Sequence, residues 1–255
     1  RLRGHTIGVI LPSLENPFYH AFMQGIEERI HEERTMLFVC NAHESMDEAR
    51  RYFAQLAAKK VDGVILASLD DSAILETRGG NRRSSPLPVV STDWPASAGW
   101  SVLIDLEHAG YLATRHLLEH GHRRVGLITF KGDVSNVDRI NAGYERALRE
   151  AALQPDLELV AAVGGFLLPD GAQGARKLLG LHQPPTAIFA ISDMLALGAM
   201  SVIKEAGLKI PQDVAIAGFN NIPVSSLVEP QLTTVTAPAR EMGLEAMNML
   251  QSLIA

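Results

Sequence analysis

The chain has 255 residues, 47% of them hydrophobic and 20% charged, with a single cysteine, Cys40. These proportions exclude collagen-like, disulfide-stapled and largely disordered chains, and the length allows one large α/β core or two modest ones. Lys and Arg number 23 against 29 Asp and Glu, a formal net charge of −6, where a chain gripping nucleic acid by itself would carry a basic face.

No stretch reaches the roughly 18 unbroken apolar residues that span a bilayer, and nothing at the start resembles an export signal. With one cysteine, the expectation is a cytoplasmic protein without a membrane partner. The first residue is Arg1 rather than methionine, so an upstream segment is expected.

Short β-branched runs alternate with stretches of helical periodicity. The predicted strands are Thr6–Leu11, Met36–Cys40, Gly63–Ala67, Pro88–Thr92, Ser101–Ile104, Arg124–Thr129, Glu158–Ala162, Ala187–Ile191 and Val214–Ala217. Most are apolar throughout, the pattern of parallel strands covered on both faces. After the first strand, Phe18, Phe22, Ile26 and Ile30 form one stripe on a helix starting past Pro17. Further helices are predicted over Tyr111–Glu119, Ile140–Ala152, Met194–Ala206 and Pro238–Ile254.

The breaker-rich stretch Glu76–Pro88 reads as an exposed loop. The strand-helix alternation restarts near residue 120, which predicts two doubly wound α/β lobes: 5–120 with about 237–255, and 121–236.

Enzyme motifs are absent. There is no G-x-S-x-G elbow, no Walker loop, no H-E-x-x-H and no G-x-G-x-x-G near Gly164 and Gly165. His116, His120 and His122 straddle a helix end and need not converge, so neither a metal nor a cofactor is expected. The informative residues follow the strands: Ser13 to Tyr19 after the first, Asp93-Trp94 after the fourth, Asp105 after the fifth. Polar groups interleaved with aromatic faces suit a polyhydroxylated or heterocyclic small molecule. Each also has an ordinary structural role open to it: Phe18 in the core stripe, Asn16 and Asp105 as helix caps.

The segments IGVILPSLENPFY (7–19), VDGVILA (61–67), EHGHRRVGLI (119–128), PTAIFAISDMLALGAM (185–200), IPQDVAIAGFNNIP (210–223) and PQLTTVTAP (230–238) stand in this order along the chain. Together they resemble the effector-binding core of the lac repressor/galactose repressor (LacI/GalR) family of bacterial transcription regulators. The resemblance implies two periplasmic-binding-protein-like α/β lobes with the effector in the cleft between them. It also implies a preceding helix-turn-helix domain that binds operator DNA, and a homodimer, with a tetramer as an option.

By the same resemblance, effector contacts fall on Ser13, Phe18, Tyr19, Asp93, Trp94 and Asp105, and then on Arg139, Phe166, Ser192, Asp193 and Asn220. This chain departs from the family pattern at three places. Arg139 lies four rather than three residues before Gly143, Asn220 stands where many members have aspartate, and Ala237 stands where glutamine is common. The expected function is an effector-sensing, dimerising regulator core without enzymatic activity, with a sugar or sugar derivative favoured over a purine-like effector. The rival is a periplasmic sugar-binding protein serving a transporter.

Overall fold

The computed structural model describes residues 6–31, 35–75, 87–93, 99–132 and 135–254. The chain divides into two compact units, Arg1–Ile104 with Pro238–Ala255, and Asp105–Ala237. The sequence pattern put the division at residue 120, whereas the contacts put it at Asp105, so the helix Leu106–Glu119 belongs with the second unit.

The first unit is built on β1 (Thr6–Leu11), β2 (Met36–Asn41), β3 (Gly63–Ala67), β4 (Val89–Thr92) and β5 (Ser101–Val102), all parallel, in the order β2-β1-β3-β4-β5. Alternation along the strands divides the core. Gly8, Ile10, Val64 and Leu66 turn to one face, where Phe53 and Leu56 of α2 (Met46–Ala58) cover them with Ile74 of α3 (Asp71–Leu75). Gly63 opens on the other face, against Leu250 and Ile254 of α8 (Ala239–Ile254), which packs beside α1 (Phe18–Ile30).

The α1–α8 crossing is set by two glycines. A Cβ on Gly25 would lie 1.9 Å from the Arg240 carbonyl oxygen, and one on Gly243 would lie 2.0 Å from that of Phe22, so each helix backbone fills the gap left by the other's missing side chain.

The second unit repeats the plan. Its strands β6 (Val125–Phe130), β7 (Val160–Val163), β8 (Ala187–Ala190), β9 (Ala215–Asn220) and β10 (Thr233–Thr236) are parallel in the order β10-β9-β8-β6-β7. Read from β7, this is the same order as the first sheet. Helices α4 (Leu106–Glu119) and α5 (Ser135–Glu150) pair with one another, as do α6 (Leu168–Leu179) and α7 (Asp193–Glu205). Both pairs close on reciprocal glycine-to-carbonyl contacts, Gly110 with Gly143 and Gly171 with Gly198.

Strand order of this kind reverses direction between β1 and β3, and again between β6 and β8. Ligands of doubly wound sheets bind beyond the carboxyl ends of the strands at such points.

Candidate functional site at the strand carboxyl ends

In the first unit, the turns after β1, β2, β3 and β4 gather at one edge of the sheet. Ser13 is buried and its Oγ accepts the Glu15 N–H at 3.1 Å. Asn16 accepts the Phe18 N–H at 3.0 Å, which starts α1 and turns Phe18 and Tyr19 inward edge to face, with ring centroids 5.1 Å apart. Burial pushes the Tyr19 phenol well above its ordinary range, against a hydrogen bond with Ser68 that pulls the other way, and the nearby carboxylates of Asp93 and Glu44 raise it further. The phenol is therefore a hydrogen-bond donor at neutral pH.

Asp93 is 6% exposed, and its Oδ2 accepts from Ser68 Oγ at 3.1 Å. Ser68 (φ 51°), Asp93 (φ 58°), His43 (φ 49°) and Glu44 (φ 58°) all sit in the left-handed region that residues with a Cβ avoid, and all follow strand ends. Strain of this kind collects at binding sites, where it aims side chains. Trp94 lies outside the described residues, as do Arg1 to Arg3 and most of the breaker-rich loop after α3.

In the second unit, Phe166 is half-buried and stacks on Phe130 at the end of β6, with centroids 4.9 Å apart and planes 15° from parallel. Ser192 caps α7 by accepting the Leu195 N–H at 3.3 Å. Asn220 (φ 117°) and Asn221 (φ 56°) form a left-handed turn after β9. Arg139 is half-buried on α5 beside Ile140, which is 3% exposed. Ile140 stands three residues before Gly143, so the residue at the family's arginine position points into the core. Asp105 is exposed and caps α4, accepting the His108 N–H at 3.0 Å.

Asp193 departs most from the expectation. It is fully buried, and its two oxygens accept from the Thr234 hydroxyl at 2.6 Å and the Ile222 N–H at 2.8 Å. Burial pushes its carboxyl up to about 6, while the bonds from Thr234, Ile222 and Asn221 pull it down.

Sequence reasoning missed Ser68, Phe130, Asn221 and Thr234. Ser68 and Phe130 have a local signal, being the residues at the carboxyl ends of apolar runs. The histidines do not form a centre: His116 and His120 rings lie 4.3 Å apart, while His122 is bonded to Thr186 at 3.0 Å. Burial, with the charge of His120, holds His116 and His122 below the usual imidazole range. Among the described residues no group of three or more His, Cys, Asp or Glu side chains is arranged to hold a metal.

Two parallel α/β units of one strand order, each with strained, hydrogen-bonding turns at its carboxyl edge, define a small-molecule-binding protein of the periplasmic-binding type. A family model described as "Periplasmic binding proteins and sugar binding domain of LacI family" matches residues 4–255.

The HTH-type transcriptional repressor PurR of Aliivibrio salmonicida is 34% identical over 249 residues, covering 96% of this chain and 73% of the repressor. The structure of the transcriptional regulator CelR in complex with cellobiose superposes with a TM-score of 0.85 at 30% identity, covering 98% of this chain and 77% of that one. A LacI family transcriptional regulator from Enterococcus faecium with bound ribose gives 0.84 at 30%, covering 98% and 90%.

The chain belongs to this family and is the effector-binding core of a LacI-type transcriptional regulator, a class without enzymatic activity. Its relatives are repressors and regulators, which removes the support for a periplasmic transport role. Among the described residues no helix is long and apolar enough to cross a membrane.

Proposed function

We propose that this core senses a small polyhydroxylated effector, a sugar or sugar derivative, through the groups at the carboxyl ends of its two sheets. In the first unit these are Ser13, Phe18, Tyr19, Ser68 and Asp93, with Trp94 beside them in sequence. In the second they are Phe130, Phe166, Arg139, Ser192 and Asn220. Asp105 serves as a helix cap.

The observation that carries the reading is the set of non-glycine residues held at positive φ at strand ends, Ser68, Asp93, Asn220 and Asn221, each bearing a hydrogen-bonding side chain. A carboxylate and amides fix hydroxyl orientation, while the stacked Phe130 and Phe166 offer an apolar face of the kind a sugar ring covers. Ribose bound to one relative and cellobiose to another support this chemistry. The effector then biases operator binding only to the extent that it binds two conformations of the core with different affinity. A two-fold dimer matches the palindromic operators that such regulators read.

The test is thermal unfolding of this chain in ribose, cellobiose, other sugars and hypoxanthine. A true effector at 100 times its Kd stabilises by about 2.7 kcal/mol, and Asp93→Ala or Phe166→Ala removes the shift. Stabilisation by hypoxanthine alone, or a sugar shift that survives both substitutions, refutes the assignment.

A further inference from the structure

Asp193 is the first residue of α7, directly after Ser192, and occupies the position where an effector contact would be sought. Its surroundings assign it elsewhere. One oxygen accepts from the Thr234 hydroxyl on β10 (2.6 Å), the other from the Ile222 N–H just past the left-handed pair Asn220 and Asn221 (2.8 Å). Thr234 Oγ1 in turn accepts the Asn221 N–H at 3.3 Å, and the Asn221 side chain donates to Thr236 at 3.1 Å and accepts from Ser225 at 3.3 Å. The chain also makes room for the carboxyl: a Cβ on Gly218 of β9 would lie 2.3 Å from Asp193 Oδ1.

We propose that Asp193 is a positioning residue, a buried strut that ties the start of α7 to the turn after β9 and to the edge strand β10, and so holds Asn220 at the angle that effector binding requires. The inference rests on the reading that Asn220 faces the effector. Two strained residues in succession hold their shape only where the surroundings over-determine it. Thr234 and Asp193 accept the backbone N–H groups of Asn221 and Ile222, beside the bonds that the Asn221 side chain makes to Thr236 and Ser225.

The groups set against the carboxyl, namely Thr234 on β10, the Asn221 and Ile222 amides and Gly218 on β9, are uncharged. Among the described residues no cation is set against it, and its ionisation is opposed by burial. The strut is neutral when protonated, and the 2.6 Å bond to Thr234 can then be made by the threonine hydroxyl donating to the acid or by the acid O–H donating to the threonine oxygen. Protonation favours the closed turn, since an open turn would return the acid to water and to its ordinary acidity. Opening of the turn should increase as pH rises.

Amide hydrogen exchange of Asn221 and Ile222, corrected for the intrinsic rate and measured without effector, tests this. In the wild type, protection should fall by about tenfold from pH 5 to 7.5. Asp193→Asn, whose amide can donate to Thr234 and accept from Ile222, should keep the protection and lose its pH dependence. Asp193→Ala should lose protection at both pH values, and the near-isosteric Thr234→Val should lose it at Asn221 even if the alanine variant folds poorly.

If the Asn and Ala variants behave alike, or Thr234→Val leaves Asn221 protected, the assignment is overturned. Isothermal titration of ribose and hypoxanthine into the wild type and Asn220→Ala tests the effector reading separately, because the exchange experiment uses no ligand.

Discussion

The α1–α8 crossing offers the sharpest quantitative test of the first unit. In Gly25→Ala, the new Cβ would stand 1.9 Å from the Arg240 oxygen and 2.8 Å from the Leu244 nitrogen. Both are backbone atoms, which cannot rotate away. Restoring a tolerable contact of about 3.2 Å requires the helices to part by about 1.3 Å, loosening Phe22 and Ile26 on α1 and Met242 and Ala246 on α8, all buried. Overpacking costs up to about 3 kcal/mol, and the better helix propensity of alanine returns about 1 kcal/mol, leaving about 2 kcal/mol. For a chain of this size that is a fall in Tm of about 6 °C.

The assay is thermal unfolding by far-UV circular dichroism, with Gly180→Ala as the control. There the added Cβ would meet only Arg176 O at 3.1 Å and Lys177 O at 3.7 Å, and φ is −80°. Gly243→Ala should cost a similar amount alone and much less on top of Gly25→Ala, because one separation relieves both contacts. A Gly25→Ala variant that melts with the control would show that the helices are not held at this distance. Since α1 carries Phe18 and Tyr19 at its start, effector-induced stabilisation should weaken in the same variant.

In the second unit, Phe166→Ala should reduce effector affinity by tenfold or more while Phe166→Tyr keeps most of it, as read by titration calorimetry, because in the proposed site the Phe166 ring, stacked on Phe130, supplies the apolar face. Tyr144→Phe, which removes a buried hydroxyl donating to the Val125 carbonyl at 2.8 Å, should lower stability to urea by about 1–2 kcal/mol without changing effector affinity. The folded carboxyl of Asp193 is raised from 3.8 to about 6, so its contribution to stability is greatest below about pH 4 and is lost as pH rises through about 6. From pH 4 to pH 7.5 the stability of Asp193→Asn relative to the wild type should therefore rise by up to about 3 kcal/mol, measured by urea unfolding at both values.

What the sequence made legible depended on how local the determining physics was. Strand β1 matches its predicted bounds because an apolar run ends at Pro12 and every residue from Ile7 to Leu11 is buried. Strand β10 escaped notice because Thr233–Thr236 is a short, half-exposed edge strand of three threonines and a valine, with none of the apolar continuity of a central strand. Helix α2 escaped because its stripe is sparse, only Ala49, Phe53 and Leu56 being buried, and α6 because proline and two glycines interrupt its pattern.

The site divides in the same way. Ser13, Phe18, Tyr19 and Asp93 follow apolar runs and were found at the ends of strands. The role of Asp193 is set by partners 29 and 41 residues away, which no local pattern encodes. A resemblance to the family points to its position but not to the fact that its oxygens are already occupied.

Positive φ at non-glycine residues separates two kinds of position, and the separation can be tested. Lys60 (φ 56°) and Ala152 (φ 57°) follow the ends of α2 and α5, where a left-handed residue is the usual way to stop a helix. Ser68 (φ 51°) follows a strand, and its hydroxyl is bonded to Asp93. Replacing either by glycine relieves about 1 kcal/mol of backbone strain.

For Lys60→Gly that relief should appear as increased stability, with the effector response unchanged. For Ser68→Gly the relief is offset by the lost hydrogen bond to Asp93, worth about 1 kcal/mol, so stability should barely move while effector-induced stabilisation falls. A purely structural origin of the strain predicts the same stabilities but an unchanged effector response in both variants, and that result would refute the assignment of the strained strand ends to effector binding.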